Sequence, residues 1–372
     1  MRIVKLTDET KNNILEDLLK RSPNSYGKFE AAVNDILLNV RTNKDEALFK
    51  YTKDFDKADI NASNIVVTKE EIEEAYTKVD PALVDLAVMK KSMKNIREYH
   101  EKQKQYSWFD SKPDGTILGQ KVTPLARAGV YVPGGKAAYP SSVLMNVVPA
   151  KVAGVEQIIM CTPPDHEGKV YPTTLVAAKE AGVDQAIAAM AYGTESIPKV
   201  DKICGPGNIY VALAKKAVFG YVSIDSVAGP SEILVIADET ANPRYVAADL
   251  LSQAEHDEMA SAILITTSSE LANKVSAEID GFLKELSRSE IISKSLDNYG
   301  YILLVDDINE AVSVANDIAS EHLEIVTKDP FNVMTKIKNA GAIFLGEYSS
   351  EPLGDYFAGP SHVLPTNGTA KF

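Results

Sequence analysis

The spacing of apolar residues changes partway along the chain. Early on, "EAAVNDILLNVRTNKDEALFKYTKDFD" and "PALVDLAVMKKSMKNIREYHEKQKQ" repeat apolar positions at helical intervals in polar surroundings, which predicts amphipathic helices over about the first hundred residues. From about Leu118 the pattern turns to short β-rich runs, turn residues and helices. "AGVYVPGG" predicts a strand and a Gly-Gly turn, "EQIIMCTPP" a strand ended by Pro-Pro, and "PTTLVAAKEAG" a helix closed by Gly182. "KVDKICGPGN" leads into the helix "IYVALAKKAVFG".

A second series begins with the strand "SEILVIADE" and the helix "PRYVAADLLSQAEHD", with Pro243 near its first turn. The strand "SAILITTSS", the helix "ELANKVSAEIDGFLKEL", the strand "GYILLVDD" and the helix "INEAVSVANDIASEH" follow, then the strands "LEIVTKD" and "GAIFLGEYS". Buried strands alternating with helices imply parallel sheets covered on both faces. The fold class expected is therefore α/β with two domains, and the default active site is a cleft between them. No tandem repeat, low-complexity tract or heptad pattern is present.

Composition narrows the function classes. The 372 residues are 45% hydrophobic and 24% charged, as in a soluble globular protein, and Lys+Arg 39 against Asp+Glu 52 gives a net charge of −13. Such acidity argues against nucleic acid or an anionic membrane surface as partner. The two cysteines, Cys161 and Cys204, form no CxxC pair, so neither a disulfide framework nor a thiolate zinc site is expected. The charged N-terminus lacks an apolar signal core, and no apolar run approaches the ~18 residues that span a bilayer. The expected compartment is the reduced cytoplasm.

Of the five histidines, His100 and His166 read as solvated surface residues, while His256, His322 and His362 lie in chemically suggestive surroundings. In "AADLLSQAEHD" the residues Asp249, Gln253 and His256 fall beside an apolar stripe, and an i, i+3 pair such as Gln253 and His256 can grip Zn²⁺ or Mn²⁺. A hydrogen-bonded helix end is the plain alternative. "SEHLEIV" puts Glu321 and His322 at a helix-to-strand junction, where an imidazole can take a proton and a carboxylate can activate water. The alternative there is a helix-end histidine held by the dipole. "SSEPLGDYFAGPSHVLPT" gathers Asp355, Tyr356 and His362 in a loop rich in turn formers. "VPGGK" and "CGPGNIY" are candidate anion loops, the second opening a helix whose N–H groups could face a phosphate; neither is the GxGxxG fingerprint. "AGPSE" brings Ser231 to the start of a strand, as a site hydroxyl or as an ordinary turn.

In combination these segments resemble histidinol dehydrogenases. "GVYVPGGKAAYPSSVLMNVVPAKVAGV", "GTESIPKVDKICGPGN", "AGPSEILVIAD", "DLLSQAEHD", "SEHLEI" and "GDYFAGPSHVLPT" occur in that family's order, from roughly residue 25 to the last. The resemblance implies two Rossmann-like domains with a helical N-terminal segment: residues 1–122 packing with 235–372 around the zinc and catalytic residues, and 123–234 on the NAD side. It implies oxidation of L-histidinol to L-histidine through the aldehyde, with two NAD⁺ used in succession at one zinc site of a homodimer. Carried over by position, Gln253, His256 and Asp355 are implied zinc ligands and Glu321 and His322 the acid/base pair. Ser231 and His362 are implied substrate contacts, and Tyr131, Gln185 and Asn208 NAD contacts.

Two departures accompany the resemblance. The family continues past "GTAKF" into a small helical segment bearing a fourth zinc ligand and a substrate-binding glutamate, whereas this sequence ends at Phe372. The family also has a short strand ending in Gly-Gly-Ala before the glutamine aligned with Gln185, where "AGVD" here runs straight into "QAIAAMAYG". The competing readings are a zinc hydrolase using Glu321 or Asp355 to activate water, and a non-catalytic relative.

Overall fold

The computed structural model describes residues 1–21, 27–81, 88–134, 138–183, 185–186 and 190–372. Two compact units divide the chain: Met1–Gly27 with Ala228–Gly354 and Leu364–Phe372, and Lys28–Val227 with Asp355–Val363. This division departs from the expected one, because residues 28–122 belong to the unit that holds residues 123–227. The reason is packing: Ala75, Val79, Met89 and Ile96 of the early helices share one core with Val130, Val147 and Ile158.

The first unit opens with β1 (Arg2–Lys5) and α1 (Asp8–Lys20). Then the second unit runs through α2 (Gly27–Phe55, kinked at Lys44), α3 (Lys69–Lys78) and α4 (Val88–Glu101). An antiparallel hairpin follows, β2 (Trp108–Ser111) and β3 (Ile117–Gln120). Its α/β part is β4 (Arg127–Tyr131), α5 (Pro140–Val152), β5 (Gln157–Cys161), α6 (Pro172–Ala181), β6 (Gln185–Ala186), β7 (Lys202–Cys204), α7 (Ile209–Val218) and β8 (Ser223–Ile224). Its parallel sheet has the order β6-β5-β4-β7-β8. Gly182 closes α6 in the left-handed region, as the sequence predicts.

The chain returns to the first unit with β9 (Glu232–Ala237), α8 (Pro243–Ala254), β10 (Ser261–Thr266), α9 (Ser269–Phe282), α10 (Ser289–Tyr299), β11 (Gly300–Leu304), α11 (Ile308–Ile318), β12 (His322–Val326), α12 (Pro330–Met334), β13 (Ala342–Leu345) and α13 (Glu351–Leu353). Its parallel sheet has the order β1-β11-β10-β9-β12-β13. Every residue of β9 and β10 is buried, and they alternate between two cores. Ile233, Val235, Ala262 and Leu264 face α8 and α9; Leu234, Ile236, Ile263 and Ile265 face α1 and α11. The expected α/β class with covered parallel sheets is the observed one. No described helix is long and apolar enough to cross a membrane.

This topology positions the chemistry. In the first unit β9 and β12 are neighbours, with His322 opposite Ile233, so Glu232 and His322 stand together at the strands' amino ends. Helices α8 and α11 run back against the strands and finish at that same edge. In the second unit Tyr131, Cys161 and Cys204 end β4, β5 and β7, at the carboxyl edge where α/β sheets usually bind ligands.

Candidate functional site

Helix α11 stops because Ala319 takes a left-handed conformation, with φ 53, and its N–H bonds back to Ala315 O. Ser320, Glu321 and His322 then cross into β12, at the junction expected from "SEHLEIV". All three are buried. The main-chain N–H of Glu321 donates to Glu232 Oε2 at 3.2 Å, and the N–H of Glu232 donates to Glu321 Oε2 at 3.1 Å. His322 Nδ1 lies 3.0 Å from the main-chain oxygen of Glu232 and 3.6 Å from Glu321 Oε2. A carbonyl only accepts, so Nδ1 carries the hydrogen and the Nε2 lone pair of a neutral ring points the other way. That is the tautomer a general base needs.

A group of acids lies behind this pair. Glu324 on β12, Asp249 on α8 and Glu351 on α13 share one region: the N–H of Glu351 donates to Glu324 Oε1 at 2.9 Å, and Ser252 Oγ donates to Glu351 Oε2 at 2.9 Å. Burial, then the charge of Asp249, holds the Glu324 carboxyl well above the usual range. Burial likewise pushes Asp249 up to about 6, and its hydrogen bond to Glu324 pulls the other way. His322 and Glu351 can bring ligand atoms within 4.8 Å of each other.

The expected metal ligands are placed differently from the helix-face picture. Gln253 is buried in the last turn of α8, but the helix ends at Ala254 and His256 lies beyond it, exposed. The N–H of His256 donates to Gln253 O at 3.1 Å, a tightened last turn, and the Asp249 carboxyl hydrogen-bonds that of Glu324. Asp355 is the second residue of the helical turn Gly354–Ala358 and belongs to the second unit. Imidazole nitrogens with carboxylate and amide oxygens are a donor set that fits a borderline divalent ion such as zinc.

Ser231 is half-buried just before β9, and its carbonyl accepts from Ser261 N at 3.0 Å. In the second unit the loop with Tyr356 and His362 is pinned to α4. Ser92 Oγ donates to Tyr356 O at 3.0 Å and Asn95 Nδ2 to Phe357 O at 2.9 Å, and the Tyr356 and His362 rings meet edge to face at 6.4 Å. His100, read as solvated, is half-buried; its Nδ1 contacts Gln103 Oε1 at 2.6 Å, and burial lowers its pKa.

The candidate anion loop "CGPGN" is built by a buried ion pair. Lys215 Nζ donates to Asp225 Oδ1 at 2.6 Å and to Gly205 O at 2.9 Å, and Gly205 N donates to Asp225 Oδ2 at 2.7 Å. Gly205 has φ +124 and lies so close to the Tyr131 carbonyl that a Cβ there would overlap it. Asn208 caps α7, its Oδ1 accepting from Tyr210 N and Val211 N at 3.0 and 3.3 Å. Tyr131 borders an apolar cavity of about 240 Å³, and burial pushes its hydroxyl up to about 12. Gln185 pairs with Ile159 at the sheet edge. Its side chain lies outside the described residues, as do 184 and 187–189 beside it and residues 135–137, which include Gly135 and Lys136 of "VPGGK".

Sequence reasoning overlooked Glu232, Glu324, Glu351, Lys215 and Asp225, and it had no reason to notice Arg21. A glutamate inside "HLEIV" and one opening "EILVIA" were available signals, since a lone charge in an apolar strand must find a buried partner.

A family model described as histidinol dehydrogenase matches residues 19–372. The histidinol dehydrogenase of Halalkalibacterium halodurans is 57% identical over 349 residues, which covers 92% of this chain and 81% of that protein. That of Bacillus subtilis is 58% identical over 348 residues, covering 91% and 81%. The crystal structure of histidinol dehydrogenase from Elizabethkingia anophelis superposes with a TM-score of 0.93 at 36% identity, covering 100% of this chain and 86% of that one.

Proposed function

The chain belongs to the histidinol dehydrogenase family, and from that premise we propose that it oxidises L-histidinol to L-histidine through the aldehyde, with two NAD⁺ and one zinc ion. The observation that carries this reading is the buried Glu321–His322 pair, with Nδ1 committed to the Glu232 carbonyl at 3.0 Å.

His322 Nε2 takes the alcohol proton in the first oxidation, and the Glu321 carboxylate activates the water that hydrates the aldehyde before the second. Gln253, His256 and Asp355 would hold the zinc, and Ser231 and His362 would contact the substrate. When bound, zinc supplies an anchor for the substrate's imidazole and amino nitrogens, and NAD⁺ supplies the hydride acceptor. Tyr131, Gln185 and Asn208 would contact NAD; Asn208 has its oxygen committed to the helix cap, which leaves its amide N–H₂ for the cofactor.

The enzyme works as a homodimer in the cytoplasm, with neither nucleic acid nor membrane as partner. The exposed apolar hairpin residues Trp108, Phe109, Ile117 and Leu118 support the dimer.

The test is NADH absorbance on adding L-histidinol and NAD⁺ to zinc-loaded protein, with two NADH expected per histidine formed. His322→Ala is expected to lower turnover at least a hundredfold while keeping its zinc; His256→Ala is expected to lose zinc, read by metal analysis. Zinc-loaded protein that forms no NADH, or a His256→Ala protein with full zinc content, overturns the corresponding part.

A further inference from the structure

The geometry points to Arg21 as a positioning residue for Glu321 and His322, an inference that rests on the catalytic reading of that pair. Arg21 ends α1, more than two hundred residues away in sequence, and it is fully buried. Its guanidinium makes five hydrogen bonds, matching its five N–H donors. Nε donates to Met259 O at 2.6 Å, and Nη1 to Ser261 Oγ at 2.9 Å and to Glu232 Oε1 at 3.2 Å. Nη2 donates to Pro230 O and Ser231 O, both at 3.0 Å.

Three of these acceptors, Pro230, Ser231 and Glu232, lead to the site. Pro230 and Ser231 form the approach to β9, and Glu232 is its first residue. With Oε1 held by Arg21 and by the N–H of Asn367 at 3.2 Å, the Glu232 carboxylate presents Oε2 to the N–H of Glu321. The same residue's N–H holds the Glu321 carboxylate, and its carbonyl holds His322 Nδ1. One buried cation thus sets the stretch of backbone that orients the carboxylate and fixes the imidazole tautomer. Stability alone does not call for this arrangement, because apolar residues commonly replace a buried ion pair without loss. A lysine, with three donors from one point, could not reproduce the five directions.

Three variants test the assignment: Arg21→Met, Glu232→Gln, and the double variant Arg21→Met/Glu232→Met, which leaves no unpaired charge behind. Two measurements are made on each, kcat and KM for L-histidinol and the ¹⁵N imidazole spectrum of His322, assigned by difference from His322→Ala. Expected for each folded variant is a kcat at least tenfold lower, a KM changed less than threefold, and loss of the single Nδ1–H tautomer expected in the unaltered protein. The double variant is expected to recover thermal stability over Arg21→Met but not turnover. A purely structural role predicts the reverse, with turnover returning as stability returns. Any folded variant with the original kcat and tautomer overturns the inference. Should the unaltered protein form no NADH, the functional reading fails, and the tautomer measurement still decides the role of Arg21.

Discussion

Asp249 and Glu324 are two acids sharing a buried region with a third, and the cost falls on their charged forms. Asp249 titrates in the folded protein at about 6, above its ordinary value. Between about pH 4 and 6 the folded chain therefore keeps a proton that the unfolded chain has released, and stability falls as pH rises through that window. Asp249→Asn removes this loss. In metal-free protein it is expected to be more stable than the parent above pH 6 by about 1–2 kcal/mol, and less pH-dependent from 4 to 6. Urea unfolding at intervals from pH 4 to 8 checks it; parallel pH profiles for the two proteins would contradict the assignment. At this scale the helix-to-strand junction at Glu321 and His322 was legible, because the apolar periodicity of "INEAVSVANDIASEH" gives way there to the strand "LEIV". Arg21 was not, since nothing near it in sequence tells that its partners lie at positions 230–261.

Among the elements, the long periodic ones were readable from the sequence and the short or exposed ones were not. Strands β9 to β12 and helices α6 and α7 follow clear apolar runs bounded by turn residues. β1 has only four residues, too few for an alternating pattern to register, and the hairpin β2–β3 is exposed throughout, so no buried face marks it. Helix α8 was read three residues too long, to Asp257, because the chain tightens at Glu255 with no glycine to announce it. The loop at Gly205 gives the element-scale prediction. Gly205→Ala must place a Cβ on a left-handed backbone against the Tyr131 carbonyl. It is expected to lose about 2–3 kcal/mol of stability and to weaken NAD⁺ binding at least tenfold, read by thermal melting and by fluorescence titration of the cofactor. Unchanged NAD⁺ affinity would separate this loop from the cofactor site.

For the whole molecule the sequence conveyed two covered parallel sheets but not which unit owns the early helices. Amphipathic periodicity shows that a helix has an apolar face without showing which core receives it; the cluster around Ala75, Met89 and Ile96 settles that in favour of the second unit. The exposed hairpin gives a prediction at this scale. Phe109→Asp with Ile117→Asp is expected to convert a dimer to a folded monomer, read by sedimentation, and a dimer that persists would place the interface elsewhere. The opposite edges used by the two sheets have a further consequence. α8 and α11 end at the amino edge of the first sheet, so each brings the negative end of its macrodipole to Gln253 and Glu321, whereas α7 begins at the carboxyl edge of the second and brings a positive end to Asn208. Each helix end contributes about 0.3–1 kcal/mol. One unit is thereby polarised towards a cation and the other towards an anion, by backbone alone, and no change of pH can reverse that preference.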